Sequence, residues 1–233
     1  LRNLNDGTTY TITVNVDDVA GNSATPDTGD TFVYDITAPV ASAISTTSGA
    51  YGVGETMDIV VSYPEAVVVG TGSEVAFITL SNGKTAAFSS SPSSDSIKFV
   101  YTVSEGDTDS TDLTVVSYSG SIVDAAGNTA SSISGNPNLA GVSVDGDAPD
   151  YLSSTAPDGD YGVGETLTVT VNWDEAVVVD GTPTIQLSNT ATAAYSAGTG
   201  TNSLQFTYTV TEGNTPSSDL SVTGFSGSIK DAA

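Results

Sequence analysis

Tyr51-Gly-Val-Gly-Glu-Thr56 is followed directly by a run, ending at Tyr63, in which apolar side chains recur at every second position. Its two glycines indicate a turn, because glycine adopts backbone conformations that other residues avoid. One face of the following run carries Met57, Ile59, Val61 and Tyr63. A period of two residues is typical of a β-strand with one buried face, so this stretch predicts a turn followed by a strand.

The same turn and strand recur once, 110 residues later, as Tyr161-Gly-Val-Gly-Glu-Thr166. Glu65-Ala-Val-Val-Val69 recurs at the same offset, and Phe99-Val-Tyr-Thr-Val103 recurs 107 residues later as Phe206-Thr-Tyr-Thr-Val210. The three-residue slip predicts a longer loop in the first copy, between Val69 and Ile78, because insertions collect in loops. The chain therefore uses one module twice.

Other alternating segments follow at short intervals, separated by turn signals such as Asn82-Gly83, and no segment has helical periodicity. This pattern predicts an all-β fold of tandem immunoglobulin-like Greek-key β-sandwich domains in a linear array. A parallel β-helix is the alternative, although its repeats are much shorter. We expect residues 1–38 to be the C-terminal part of an upstream domain, 39–147 a complete repeat, and 148–233 a repeat that lacks its last strand.

The segment 1–38 contains its own alternating run, in which Tyr10, Ile12, Val14 and Val16 share one face. We expect this run to be a half-buried strand. Half of a sandwich leaves its apolar face uncovered. The two ends are therefore expected to be cuts through a longer array, or places where a neighbouring chain supplies strands.

Acidic residues dominate the charge, with 28 Asp and Glu against 4 Lys and Arg and a formal net charge of −24. Nucleic acids and anionic membrane surfaces attract basic proteins, so neither is an expected partner. The absence of cysteine and histidine excludes disulfides, zinc fingers, thiol catalysis and imidazole bases. No apolar run approaches the ~20 residues that span a bilayer, so no direct membrane insertion is expected.

The acidic residues fall in predicted turns and linkers at the ends of the sandwiches rather than along their faces. Calcium takes six to eight oxygen ligands, and hard oxygen donors without His or Cys favour it over zinc or copper. Magnesium remains an alternative with stricter octahedral geometry. The predicted Ca²⁺ ligands are Asp17, Asp18, Asn22, Asp35, Glu55, Glu65, Asp124, Asn128, Asp145, Asp147, Asp150, Glu165, Asp174, Glu175 and Asp231.

Strand order divides most of these ligands among three domain junctions. The first junction is expected to gather Asp35, Glu65, Asp124 and Asn128. The second is expected to gather Glu55, Asp145, Asp147, Asp150, Asp174, Glu175 and Asp231. Residues Asp17, Asp18 and Asn22 are expected to serve a junction further upstream. Each motif also has a structural interpretation: Asp-Ala-Ala-Gly-Asn is often a turn in which Asp accepts backbone N–H groups.

Catalysis has little support in the sequence. The pair Asp174-Glu175 has the residue types of acid–base catalysis, but the first copy has Pro64-Glu65 at that place. The single tryptophan, Trp173, occupies the position of Tyr63 and is predicted to be a core residue rather than a sugar-binding platform. We therefore predict that the protein is not an enzyme.

Asp18-Val-Ala-Gly-Asn22, followed by a strand and Asp35-Ile-Thr-Ala-Pro39, resembles the bacterial immunoglobulin-like repeats of giant calcium-dependent surface adhesins. The second junction departs from this pattern, because Asp147 replaces the expected Thr. The junctions are also similar to those of cadherins, in which linker aspartates bind calcium and stiffen a rod. The resemblance implies an extracellular location, on the bacterial surface or secreted, and repeats that extend a distal ligand-binding region.

We therefore expect a structural spacer or stalk of a long bacterial adhesin or surface filament, with Ca²⁺ at the interdomain junctions. Its partners are expected to be neighbouring repeats of the same or an identical chain, and the sequence leaves the distal ligand open. One alternative is a self-assembling fibre subunit completed by strands from neighbouring chains. Another is a carbohydrate-binding adhesion module, for which the sequence offers few unassigned aromatic residues.

Overall fold

The structure, a computed structural model, describes residues 3–70, 76–130, 133 and 139–232. Every regular element in these ranges is a β-strand, and the strands form antiparallel sheets. The predicted all-β class is confirmed, and the sheets are consistent with β-sandwich architecture. None of the described residues form an apolar helix of membrane-spanning length. The longer loop predicted between Val69 and Ile78 lies partly outside the described residues.

Seventeen strands follow one another along the described chain. The first nine are β1 (Thr8–Val14), β2 (Asp27–Tyr34), β3 (Ala43–Thr46), β4 (Gly49–Tyr51), β5 (Thr56–Ser62), β6 (Val67–Val69), β7 (Phe77–Leu80), β8 (Thr85–Ser93) and β9 (Ser96–Thr102). The others are β10 (Val115–Ser119), β11 (Ile122–Asp124), β12 (Val142–Val144), β13 (Tyr151–Thr155), β14 (Thr166–Leu187), β15 (Thr192–Ala197), β16 (Thr201–Thr209) and β17 (Val222–Asp231).

The chain divides into two compact units, and each unit is built from three segments that are not contiguous in sequence. The first unit comprises Leu1–Gly49, Thr56–Thr102 and Asp112–Val142, and the second comprises Ala50–Glu55, Val103–Thr111 and Ser143–Ala233. The second unit therefore combines the last repeat with the turn before β5, the loop after β9 and the linker around residue 146. The division into 1–38, 39–147 and 148–233 stays a prediction.

A six-stranded sheet in the order β10-β7-β8-β9-β5-β3 forms most of the first unit. Strands β5 and β9 pair antiparallel with Met57 opposite Tyr101 and Ile59 opposite Phe99. Opposed residues point to the same face of a sheet, so these side chains form one buried layer, and all four are buried. The inward face predicted for the strand that follows the Tyr51–Thr56 turn is confirmed.

The N-terminal strands behave differently from the expectation of a half-buried strand. Strands β1 and β2 form a separate two-stranded sheet, and Ile12 and Val14 are each 53% exposed. Phe32 stacks on Tyr10 at a centroid distance of 5.7 Å but is itself exposed. A two-stranded ribbon has no covering layer of its own, which explains why its apolar side chains stay open to solvent.

The hairpin predicted at Asn82-Gly83 is present between β7 and β8. Leu80 N donates to Lys84 O at 2.8 Å, and Asn82 Oδ1 accepts a hydrogen bond from Lys84 N at 3.2 Å. Gly83 has a φ of +80°, a conformation that strains residues with a Cβ. The turn thus needs glycine at this position.

Gly83→Ala is expected to lower the stability of the β7–β8 hairpin by about 1–2 kcal/mol, because alanine is strained at this φ. Amide hydrogen exchange at Leu80 measures the loss directly. Gly224→Ala is the control, since Gly224 lacks a positive φ and a Cβ there meets no atom within 4 Å. Equal exchange rates at Leu80 in the wild type and in Gly83→Ala would contradict the strain argument.

The second unit is built around β14, a strand of 22 residues that corresponds to β5, β6 and β7 of the first copy. Its first part pairs with β13 and β16, and its later part pairs with β15 and β17. Trp173 is only 7% exposed and packs against Tyr151 and Phe225 at centroid distances of 6.5 and 5.2 Å. Trp173 is therefore a core residue, as predicted.

Candidate metal-binding sites

The first acidic group lies in the first unit and consists of Asp35, Glu65 and Asp124, each with a carboxylate oxygen within 4.8 Å of the others. Asp35 follows β2, Glu65 lies between β5 and β6, and Asp124 ends β11. Pairing of β11 with β6 places Asp124 opposite Val67, which brings its carboxylate beside the loop that carries Glu65. Sheet topology thus gathers residues that lie far apart in sequence.

Asp124 is held by the turn that follows it. Its Oδ1 accepts hydrogen bonds from Ala126 N and Asn128 N, both at 2.8 Å, and its Oδ2 accepts one from Asn128 Nδ2 at 2.8 Å. Asn128 Nδ2 also donates to the backbone oxygen of Asp35 at 3.2 Å. The turn interpretation is therefore correct for this motif, and the same turn orients a carboxylate toward the group.

Two opposing effects set the pKa of Asp124, which is only 4% exposed. Burial raises the pKa, but hydrogen bonds from Asn128, Ala126 and Gly127 outweigh it and hold the pKa below its usual value. Burial, followed by the charges of Asp124 and Asp35, raises the pKa of Glu65. The group therefore combines Asp124, whose charged form is stabilised, with Glu65, whose charged form is disfavoured by burial and by its neighbours.

The upstream motif Asp18–Asn22 repeats this turn. Asp18 Oδ1 accepts hydrogen bonds from Ala20 N at 2.9 Å and Asn22 N at 2.8 Å, and Asp18 Oδ2 accepts one from Asn22 Nδ2 at 2.8 Å. The Asn22 side chain is the main cause of the lowered pKa of Asp18. Among the described residues, Asp17, Asp18 and Asn22 belong to no group of three acidic side chains. Their visible role is structural.

Two further acidic groups lie in the second unit and share Asp145. One consists of Asp145, Glu175 and Asp231, and the other of Asp109, Asp145 and Asp147, each with oxygens within 4.8 Å of one another. Asp145 directly follows β12, where its N donates to Tyr51 O at 3.0 Å. Asp231 ends β17 and pairs with Val177 of β14. Val177 is close in sequence to Glu175. Four other carboxylates therefore lie around the linker residue Asp145.

Glu175 carries the electrostatic strain of this cluster. Its Oε1 is buried and accepts no hydrogen bond from the described part of the chain. Burial, together with the charges of Asp231, Asp145, Asp174 and Asp147, raises the pKa of Glu175 to about 7. Two unit charges ~4.8 Å apart repel by roughly 3.5 kcal/mol at an effective dielectric constant of about 20. A bound cation or proton would relieve this repulsion.

Four further predicted ligands lie outside these groups, and the carboxylates of three of them hold local backbone. Glu55 Oε2 accepts a hydrogen bond from Gly52 N at 3.3 Å, and Glu165 Oε2 accepts the equivalent one from Gly162 N at 2.6 Å. Asp174 Oδ1 accepts a hydrogen bond from Asp150 N at 2.7 Å. The structure therefore places Glu55 and Glu165 in turns, Asp150 at the linker and Asp174 in β14, separate from the three acidic groups of the described residues.

Asp109 is the group member that sequence reasoning missed. It lies in the acidic run Glu105-Gly-Asp-Thr-Asp109, whose density of carboxylates was the available signal. The second copy has Pro216 at the corresponding place, so the repeat comparison did not single out Asp109. Only the folded loop shows that this run faces the linker.

The spacing of the oxygens fits a hard cation. Ligands at ~2.3–2.6 Å from one calcium ion lie at most about 5 Å apart, which agrees with separations within 4.8 Å. Three carboxylates supply three to six of the six to eight oxygens that calcium takes, and backbone carbonyls or water supply the rest. Carboxylate oxygens are poor partners for softer metals, which prefer nitrogen or sulfur.

The fold and these groups define the class of protein: an acidic all-β chain with clusters of carboxylates that could hold metal ions. Comparisons with protein-family models, with curated proteins and with solved structures find no match to the chain.

Proposed function

We propose that the acidic groups bind Ca²⁺ and that the chain is a non-catalytic, calcium-stiffened spacer of a long extracellular bacterial adhesin or surface filament. The observation that carries this proposal is the position of Asp145, a linker residue that belongs to two acidic groups at once. An ion held by Asp145, Glu175 and Asp231 would tie the linker to the middle of β14 and to the end of β17. Bending at the linker would then be restricted.

The charge of the chain supports a role for divalent cations. With four basic residues against 28 acidic ones, few protein cations can neutralise the clusters, and Lys98 is already paired with Asp58 at 3.0 Å. Self-repulsion of this kind destabilises a compact state unless counter-ions relieve it. Calcium at millimolar extracellular concentrations matches sites of the moderate affinity that extracellular modules have.

The finer architecture proposed is a linear array of immunoglobulin-like Greek-key domains. Two observations support it: the module is used twice, and its two copies have corresponding strands, with β14 matching β5 to β7 and β17 matching β10 and β11. The resemblance to repeats of surface adhesins supports the extracellular location. Neighbouring repeats are the proposed partners, and the ligand of a distal region stays open.

Calorimetric titration of the chain with calcium is expected to show saturable binding, and small-angle scattering is expected to differ between calcium and a chelator. The physical reason is that bound ions restrict the linker that carries Asp145. Magnesium at equal concentration is the control, and a weaker response is expected because magnesium demands octahedral geometry and keeps its waters. Superimposable scattering profiles with calcium and with chelator would contradict the spacer proposal.

Self-assembly is a second candidate function, and a small groove of mixed polar and apolar lining in the second unit supports it. Leu167, Leu187 and Leu220 line this groove. At the corresponding place of the first copy, Leu113 O accepts a hydrogen bond from Leu139 N at 2.9 Å, and Leu139 and Val142 are buried. We propose that the segment from Leu139 to Val142 of a second copy of the chain binds in the groove. Concentration-dependent sedimentation would support assembly, and a constant monomer would exclude it.

A further inference from the structure

The loop between β9 and β10 holds the linker by three hydrogen bonds that involve no metal. Asp109 Oδ1 accepts one from Gly146 N at 2.9 Å, and Glu105 Oε2 accepts one from Ala148 N at 3.1 Å. In the opposite direction, Gly106 N donates to Gly146 O at 2.8 Å. Two of these bonds have an ionised acceptor, which makes them stronger than bonds between neutral groups.

Steric contact at Gly146 shows how closely the loop and the linker approach. A Cβ added to Gly146 would lie 2.0 Å from the backbone oxygen of Asp107, a distance that no real contact reaches. Asp107 is 5% exposed, and its Oδ2 accepts a hydrogen bond from Ser104 N at 3.0 Å, which fixes the backbone of the loop. The loop therefore has little freedom to retreat from the linker.

The second copy of the module separates the folding of this loop from its contact with the linker. Asn214 stands at the place of Asp107, and its Oδ1 accepts a hydrogen bond from Thr211 N at 2.6 Å, equivalent to the bond from Ser104 N. At the place of Asp109 the second copy has Pro216, which has no acceptor in its side chain. The turn therefore folds without the carboxylate of Asp109, and that carboxylate is available to hold the linker.

We propose that the loop 105–109 is a positioning element that fixes the linker backbone before any cation arrives. With the backbone of Gly146 and Ala148 held, the adjoining side chains of Asp145 and Asp147 are kept beside Asp109. A cation then meets a partly formed site and has less chain to order on binding, which raises its affinity. This inference rests on the proposed calcium site, but the hydrogen bonds exist without the ion.

Glu105 is the residue that tests this proposal best, because it holds the linker and belongs to none of the acidic groups. Glu105→Ala removes the acceptor and the charge, whereas Glu105→Gln removes the charge and keeps an acceptor oxygen. We expect Glu105→Ala to weaken calcium binding about tenfold and Glu105→Gln to restore most of it. Glu212→Ala, the same position in the second copy, is the matched control and is expected to leave the affinity unchanged.

The first measurement is amide hydrogen exchange at Gly146 and Ala148 in the presence of a chelator. Protection of both amides in the wild type, and loss of protection at Ala148 in Glu105→Ala, is the expected result. Exchange at the rate of an unstructured chain would overturn the proposal whether or not calcium binds. If the amides are protected but the protein binds no calcium, the spacer function is wrong, and so is the inferred effect of the loop on calcium affinity. The contact between the loop and the linker would still be confirmed.

The second measurement is calorimetric titration of the three variants with calcium. Equal affinities of Glu105→Ala and the wild type would overturn the positioning role. Equal weakening in Glu105→Gln and Glu105→Ala would show that Glu105 acts through its charge alone, which also overturns it. Unfolding of the metal-free variants, followed by the fluorescence of Trp173, is expected to match the wild type.

Discussion

Asp145→Asn is expected to weaken calcium binding about 100-fold at both acidic groups of the second unit, equivalent to about 2.8 kcal/mol at each. The reason is that Asp145 belongs to both groups, so one substitution removes a charged ligand from two sites. Calcium affinity depends on the number of charged ligands. At a calcium concentration 100 times the dissociation constant, each occupied site stabilises the folded protein by about 2.7 kcal/mol. Most of that stabilisation is expected to disappear in the variant.

Calorimetry with calcium measures the affinity and the number of sites, and thermal unfolding followed by Trp173 fluorescence measures the stability of the second unit. Asp180→Asn is the matched control, since it removes one exposed carboxylate from β14 outside every acidic group of the described residues. The control is expected to bind calcium as the wild type does. Wild-type stoichiometry and affinity in Asp145→Asn would show that these groups are not calcium sites.

Calcium affinity is expected to fall about tenfold for each pH unit below 7 and to change little above pH 7. Burial, with the surrounding carboxylates, raises the pKa of Glu175 to about 7, so a proton competes with the ion there. Between pH 7 and pH 5 the expected loss is about 100-fold for one displaced proton. Titrations in calcium at pH 5, 6, 7 and 8 measure the slope directly.

The same pKa predicts the opposite trend for the metal-free protein. A carboxyl whose pKa is raised on folding binds its proton more tightly in the folded state, so this group favours folding below its unfolded pKa of about 4.5. That contribution is lost as the pH rises toward 7, and the metal-free second unit is expected to be less stable at pH 8 than at pH 5. In Glu175→Gln both pH trends are expected to flatten. A wild-type slope that Glu175→Gln leaves intact would assign the proton to another group.

The groups around Asp35 and Asp145 show how far a single sequence leads toward a site. The repeat and the period-two strands indicated which loops lie at the same end of a sandwich, and this was enough to expect Asp35 near Glu65 and Asp124. Glu55 and Glu165 each accept a hydrogen bond from their own glycine turn, and their role as ligands stays a prediction. Asp109 was not predicted as a ligand, because nothing in its local sequence shows that the loop around it folds against the linker.

The sequence by itself determined the strand faces of the repeated module, the tight turn at Gly83 and the reuse of that module, because these depend on local periodicity and on backbone conformations that few residues adopt. Only the tertiary structure decided which carboxylates share a group and which serve a turn. That choice depends on distances of a few ångströms between side chains that lie up to 89 residues apart in the chain, as Asp35 and Asp124 do. Strand pairing and loop packing set those distances, and neither is written in the spacing of the acidic residues.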